Sequence, residues 1–238
     1  MKPIIFSSDA VRAILEGRKT VTRQVINPQP ERAHMVLDCN EKERAFEFMC
    51  GNYKNGVFRD WSEMVKVPYW TNDILYVQEV WRSARLDIDT YFLGTCVSGE
   101  SYRGFNYESD MGWYFPDRPA KDNTEFREVY PTATGKKWHH PQDMPIEAAR
   151  LFLRVTDIHP ERLNSMILED VEKEGLELLD DNILNLSCMS DELWNRWINT
   201  WNSTIKPADL PTYGWDADPW VWVIQFERIS EGEAKGER

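Results

Sequence analysis

Apolar positions first recur at helical spacing near the start of the chain. Ala10, Val11, Ile14 and Leu15 follow Ser7 and Ser8, both good N-cap residues. Gly17 stands where a left-handed residue closes a helix. Val21, Val25 and Ile26 then predict a strand over 20–26, so residues 2–26 read as strand, helix, basic turn and strand. The clearest strand is 74–82. Leu75, Val77, Glu79 and Trp81 alternate with Ile74, Tyr76, Gln78 and Val80. Apolar residues on both faces predict a strand covered on both sides. Further strands are expected at 151–157, led by Leu151–Val155, and at 220–229. Asn164 to Glu174 reads as a helix closed by Gly175. Residues 190–202 read as an amphipathic helix with Ser190 at its N-cap. Leu193, Trp194, Trp197 and Trp201 lie on its apolar face.

Two stretches interrupt this pattern. Over 27–71, Pro28 and Pro30 end the preceding strand, and Gly51, Asn55 and Gly56 mark turns. A short strand over Arg44–Met49 with a return at Val57–Arg59 makes this a hairpin-like insertion. Over 83–137, Tyr91, Tyr102, Phe105, Tyr107, Trp113, Tyr114 and Phe115 are interleaved with small polar residues. A structureless loop of that length is unusual, so it is expected to hold short strands of its own. Its aromatics either pin it to the body or stack on bases. Residues 230–238 read as a flexible polar tail.

Composition narrows the class. A chain of 238 residues, 42% hydrophobic and with 11 tryptophans, predicts a folded globular protein, one large domain or one domain with excursions, and the strands and helices over 1–229 read as α+β. No apolar run is long enough to span a bilayer, and Met1–Phe6 is too short for a signal peptide. No membrane partner and a cytoplasmic location are expected. The net charge of -12 disfavours coating of long nucleic acid, but leaves room for a local basic pocket. Cys39, Cys50, Cys96 and Cys188 lack paired spacing and read as reduced thiols; the four histidines are equally scattered, so no metal is expected.

The candidate chemistry centres on Gly17-Arg18-Lys19-Thr20-Val21-Thr22-Arg23. Thr22 is a weak nucleophile unless a base stands beside it. Lys19 could be that base if burial and the cationic neighbours Arg18 and Arg23 lowered its pKa. Plain alternation puts Lys19 and Thr22 on opposite faces, so they converge only if Lys19 belongs to the turn. A solvated basic corner accounts for the same residues. Glu79, a carboxylate among apolar neighbours, either pairs with a cation such as Arg23 or receives an amine or amide. Glu174 sits in the last turn of its helix, against the negative end of the dipole.

The basic turn, with Pro3 to Pro30 around it, resembles the opening of ASCH-domain proteins of the PUA-like superfamily. The longer ASCH proteins of phages and prophages are the nearest in character. Asn72–Trp81, Glu161–Leu163 with Glu174–Leu176, and Tyr213–Trp222 extend the likeness along the chain. The resemblance implies a PUA-like mixed β-barrel with flanking helices and two insertions. In its motifs the chain is similar to bacterial N(4)-acetylcytidine amidohydrolases. That similarity implies Lys19 as base, Thr22 as nucleophile and Glu174 as aid to the leaving amine, with no metal or cofactor. Arg18, Thr20, Arg23, Glu79, Trp81, Trp138 and Arg150 are the implied substrate contacts, and a nucleoside or short RNA the implied partner. The alternative is an RNA- or modified-base-binding module, or a ribonuclease, of phage origin.

Overall fold

In this computed structural model the structure describes residues 1–54, 57–92, 95–116, 127–176 and 186–236. The strands run β1 Lys2–Ile5, β2 Val21–Val25, β3 Ala33–Asn40, β4 Ala45–Lys54, β5 Val57–Lys66, β6 Ile74–Gln78, β7 Trp81–Phe92, β8 Thr95–Tyr107, β9 Trp113–Tyr114, β10 Arg127–Ala133, β11 Phe152–Arg162 and β12 Trp220–Ile229. The α-helices are α1 Ser8–Leu15, α2 Leu168–Lys173, α3 Leu186–Thr204, α4 Leu210–Tyr213 and α5 Glu231–Lys235. The class is therefore mixed α+β, rich in strand. The chain divides into two compact units.

The first unit holds Met1–Leu15, Ile74–Leu153 and Arg228–Arg238. Here β1 pairs parallel with β6, Ile4 opposite Val77. A second sheet has the order β10-β7-β8-β9. Tyr107, Met144, Ala148, Ala149, Phe152 and Ile229 form its buried core. The expected strand over 74–82 is broken: β6 stops at Gln78 and β7 starts at Trp81. Glu79 lies in the break, where a carboxylate can leave the ladder to find its own partners. The stretch 83–137 does carry strands, and they are long, β7 and β8 pairing from Trp81↔Tyr107 to Phe92↔Thr95. Residues 231–235, expected in a flexible tail, form a helical turn. Ser230 accepts from the Glu233 amide and Glu233 answers at the Ser230 amide, a capping box.

The second unit holds Glu16–Asp73 and Arg154–Glu227. In it β11, β12 and β2 lie side by side, with β2 antiparallel to β12. Val21, Leu163, Val171, Trp197, Trp201 and Val221 pack its core on one face. The insertion over 27–71 forms a sheet of order β3-β4-β5, with Phe46, Phe48 and Cys50 buried on the central strand. Gly51, read as a turn, lies within β4; Asn55 and Gly56 are outside the described residues. The helix expected over Asn164–Glu174 begins only at Leu168. Ile167 is extended there, and its amide donates to Asp170 Oδ2 at 3.1 Å. The helix expected from Ser190 begins at Leu186, so Ser190 lies inside it. Trp194 and the buried Leu193, Trp197 and Trp201 do share its apolar face.

No closed barrel is found among the described residues. The insertion sheets end at β3 and β5, and at β10 and β9. No helix among the described residues is long and apolar enough to cross a membrane. Cys39 and Cys50 are free thiols; the side chains of Cys96 and Cys188 lie outside those described.

Gly104 tests the packing of the first unit. A Cβ there would run into the Phe115 ring and the Tyr114 carbonyl. Gly104→Ala should cost about 1–3 kcal/mol, read as a lowered thermal midpoint. An unchanged midpoint would mean that β9 does not pack on β8 as described.

Candidate functional site

Two segments, one following Gly17 and one ending at Gly175, meet in the second unit. Gly17 adopts φ +78° and turns the chain outward after α1; Gly175 adopts φ +91° and does the same after α2. The segments lie antiparallel, with Lys19 and Glu174 as bridge partners. The Thr20 amide donates to the Lys173 carbonyl at 2.9 Å, and the Phe226 amide to the Thr20 carbonyl at 2.9 Å. Lys19, bridged to Glu174, is therefore in extended backbone, and its neighbour Thr20 is held from both sides.

Lys19 Nζ lies 2.5 Å from Glu174 Oε2 and donates also to the Glu174 carbonyl at 3.0 Å. The two side chains are 6% and 3% exposed. Arg23 Nη1 reaches Glu174 Oε1 at 3.3 Å. Arg23 also holds Glu161 Oε1, through Nε at 3.0 Å and Nη2 at 2.7 Å, and lies 3.3 Å from Asp170 Oδ2. Two cations thus face three carboxylates, Glu161, Asp170 and Glu174. Water is excluded from most of this cluster, so each ion depends on its partners for solvation. Arg18, half-buried, pairs with Glu16 and donates to the Gly175 carbonyl at 2.5 Å.

Thr22 is buried but placed differently. It stands opposite Ile224, whereas Arg23 stands opposite Val223. Val21, Val25, Val221 and Val223 all face the helices α2 and α3. Strand alternation puts Arg23 on that face with them and Thr22 on the other, with Gln24 and Trp222. The structure brings Lys19, Arg23 and Glu174 together and sets Thr22 on the opposite face of β2 from Arg23. Thr20 is exposed.

The remaining candidates lie in the first unit. Glu79, 1% exposed, accepts from Arg150 Nε at 2.9 Å, Arg150 Nη2 at 3.1 Å and Ser109 Oγ at 2.6 Å. Its cation is Arg150, not Arg23. Arg150 also grips Asp110, Nη1 to Oδ2 and Nη2 to Oδ1, both at 2.9 Å, and lies 3.9 Å over the Tyr107 ring. Burial alone would lower the Arg150 pKa, but the hydrogen bonds to Glu79 and Asp110 outweigh it and hold the guanidinium firmly charged. Burial works to raise the Asp110 pKa; the bonds from Arg150 and the Gly112 amide overcome it and leave the carboxyl below its usual range. Burial pushes the Tyr107 phenol up, and its hydroxyl donates to the Ala148 carbonyl. Trp81 stacks on His139 at 4.7 Å, and Arg82 lies 4.3 Å over Trp138.

Glu161, Asp170 and Ser109 carry no role in the sequence reading, yet each completes one of these clusters. Their only signal is chemical: a buried arginine or glutamate needs every hydrogen-bonding site filled. Among the described residues no group of three His, Cys, Asp or Glu is placed to hold a metal ion.

No family model matches the chain, and no curated protein or solved structure matches it.

Two predictions test these clusters. Lys19→Met leaves Glu174 buried with Arg23 alone, and should cost about 3–5 kcal/mol in urea unfolding. A loss within experimental error would mean that the pair is solvated. Asp110 predicts a pH effect. Its folded-state pKa is depressed, so its stabilising contribution is complete above the unfolded value and is lost as pH falls through the folded one. The stability gap between wild type and Asp110→Asn should therefore close on acidification. A gap that stays constant through the carboxylate range would contradict the Arg150 clamp.

Proposed function

We propose that the chain is an ASCH-type, nucleoside-directed amidohydrolase whose working centre is the Lys19–Glu174 pair. The observation that carries this is the 2.5 Å contact between two motif residues 155 positions apart. The resemblance expects those two side chains in one site. A PUA-like relation of the sheets belongs to the same proposal.

Lysine and glutamate in direct hydrogen bond can handle both protons of an amide hydrolysis. Glu174 takes a proton from water as its oxygen attacks the acetyl carbonyl of an acylated nucleoside such as N(4)-acetylcytidine. Lys19 gives its proton to the departing amine as the C–N bond breaks. Acetic acid and cytidine leave, the acid losing its proton to solvent, and the proton on Glu174 passes to Lys19 along their hydrogen bond. Water is the nucleophile here because Thr22 lies on the opposite strand face from Arg23. Arg18 and Thr20, nearer the solvent, contact the rest of the substrate.

The charge balance favours a neutral reacting group. Lys19 and Arg23 are already answered by three carboxylates, and Arg18 by Glu16. A phosphate would have to displace these carboxylates, which counts against ribonuclease or phosphate-binding use of the same cations.

The test is hydrolysis of a panel of acylated nucleosides, with products read by mass. Lys19→Arg keeps the charge but cannot release its proton. Lys19→Arg and Glu174→Gln should each lower turnover by roughly 10²–10⁴-fold, while Thr22→Val stays active. A dead Thr22→Val variant, with an acetyl adduct on the wild-type protein, would return the nucleophile's role to Thr22. Absence of turnover on every acylated nucleoside would end the amidohydrolase reading.

A further inference from the structure

The first unit carries a group of exposed cations of which, among the described residues, only Arg85 is met by a carboxylate. Register places Arg85 directly opposite Arg103 on β7 and β8. Like charges facing each other across a ladder are unfavourable unless an anion comes between them. Arg85 is bonded to Asp87 at 2.6 Å and to Ser101 at 2.9 Å. Arg103 is exposed and has no ion-pair partner among the described residues.

Aromatic rings continue the same face. Trp81 and Arg85 share one side of β7, and Phe105 and Arg103 the matching side of β8. Trp81 meets Phe105 edge-on at 5.6 Å and stacks on His139 at 4.7 Å with 25° between planes. His139 is exposed, so the side of its ring turned from Trp81 is open. The Trp81 indole Nε1 is buried with no partner among the described residues. Beside this face the chain is pinned twice, the Thr134 amide to the Ser83 carbonyl at 3.0 Å and the His139 amide to the Trp81 carbonyl at 2.7 Å. Between the pins stand Lys136 and Lys137, both exposed and without ion-pair partners among the described residues.

We propose that this face binds single-stranded nucleic acid. A base stacks on His139, which Trp81 backs, and neighbouring phosphates lie on Arg103, Arg85 and the Lys136-Lys137 loop. Trp81 and Arg85 are four residues apart along β7, about 13 Å, so a segment of a few nucleotides spans the face. Rings that accept any base beside cations that track the backbone are the pattern of sequence-tolerant single-strand sites. Local charge complementarity makes this compatible with the -12 of the whole chain. The inference stands apart from the Lys19–Glu174 pair and does not depend on hydrolysis.

The experiment is fluorescence anisotropy with a labelled ten-nucleotide oligothymidine and its oligouridine counterpart. Wild type should bind both, with affinity falling as salt rises by a log–log slope of about −0.7 per phosphate contacted. Arg103→Glu should weaken binding at least about tenfold and flatten that slope by roughly one contact or more. His139→Ala should weaken it by roughly 5- to 150-fold while leaving the slope unchanged. Lys42→Glu, an exposed cation of the second unit, should bind as wild type does. Circular dichroism confirms that each variant is folded. The idea fails if wild type does not bind, or if Arg103→Glu and His139→Ala bind normally. It fails equally if a duplex of the same length binds as tightly, or if inorganic phosphate alone blocks binding at comparable concentration, which would leave an anion site only.

Discussion

A carboxylate removed from water must be surrounded by donors, and in the second unit that demand falls on Glu174. Its two oxygens are divided between Lys19 and Arg23. Asp170, one turn earlier on the same helix, takes another corner of Arg23. The Thr20–Lys173 backbone bond lies alongside, and Val171 enters the apolar cluster with Val21. Charge pairing, backbone pairing and apolar packing thus fix the end of α2 against β2 at one point. A buried pair of this kind contributes little net energy over an apolar replacement, but removing either partner is costly.

Glu79 meets the same demand in the first unit by other means. Arginine fills both of its oxygens and Ser109 adds a third donor. The difference between the two clusters is chemical. An arginine keeps its protons at any ordinary pH, so Glu79–Arg150 is a fixed clamp. An ammonium can give its proton up, which is what the amidohydrolase proposal asks of Lys19. Gly112 shows how closely the clamp is built. A Cβ there would lie 2.6 Å from Arg150 Nη1 and 2.7 Å from Asp110 Oδ1.

Much of the scaffold is legible in local pattern. The two left-handed glycines, the strand at 21–25 and the closing strand at 220–229 follow from residue type and spacing. Alternation also states that Lys19 and Thr22 face apart in extended backbone. The bridge to Glu174 holds Lys19 in that extended form. What is not legible depends on partners far away in sequence. The break after Gln78 lets Glu79 turn to Arg150, 71 positions on, and no periodicity registers it. Arg23 draws Glu161 and Asp170 from far along the chain, and no local pattern marks either as its partner. The extra first turn of α3 escapes because Ser190 is a good cap residue that tertiary context places inside the helix. The meeting of Lys19 with Glu174 came from resemblance, since composition and period carry no information about it.

The separation of these two residues also bears on the order in which the molecule forms. The β4–β5 ladder joins Ala45–Lys54 to Val57–Lys66, and β7–β8 joins partners equally close in sequence. Such local ladders close short loops and can form on the microsecond scale of hairpins. The Lys19–Glu174 contact closes a loop of 155 residues, whose entropy must be lost before the contact returns anything. A chain growing from its N-terminus cannot make that contact until Glu174 has been added. The ladders of the insertions can therefore close while the loop between Lys19 and Glu174 is still open.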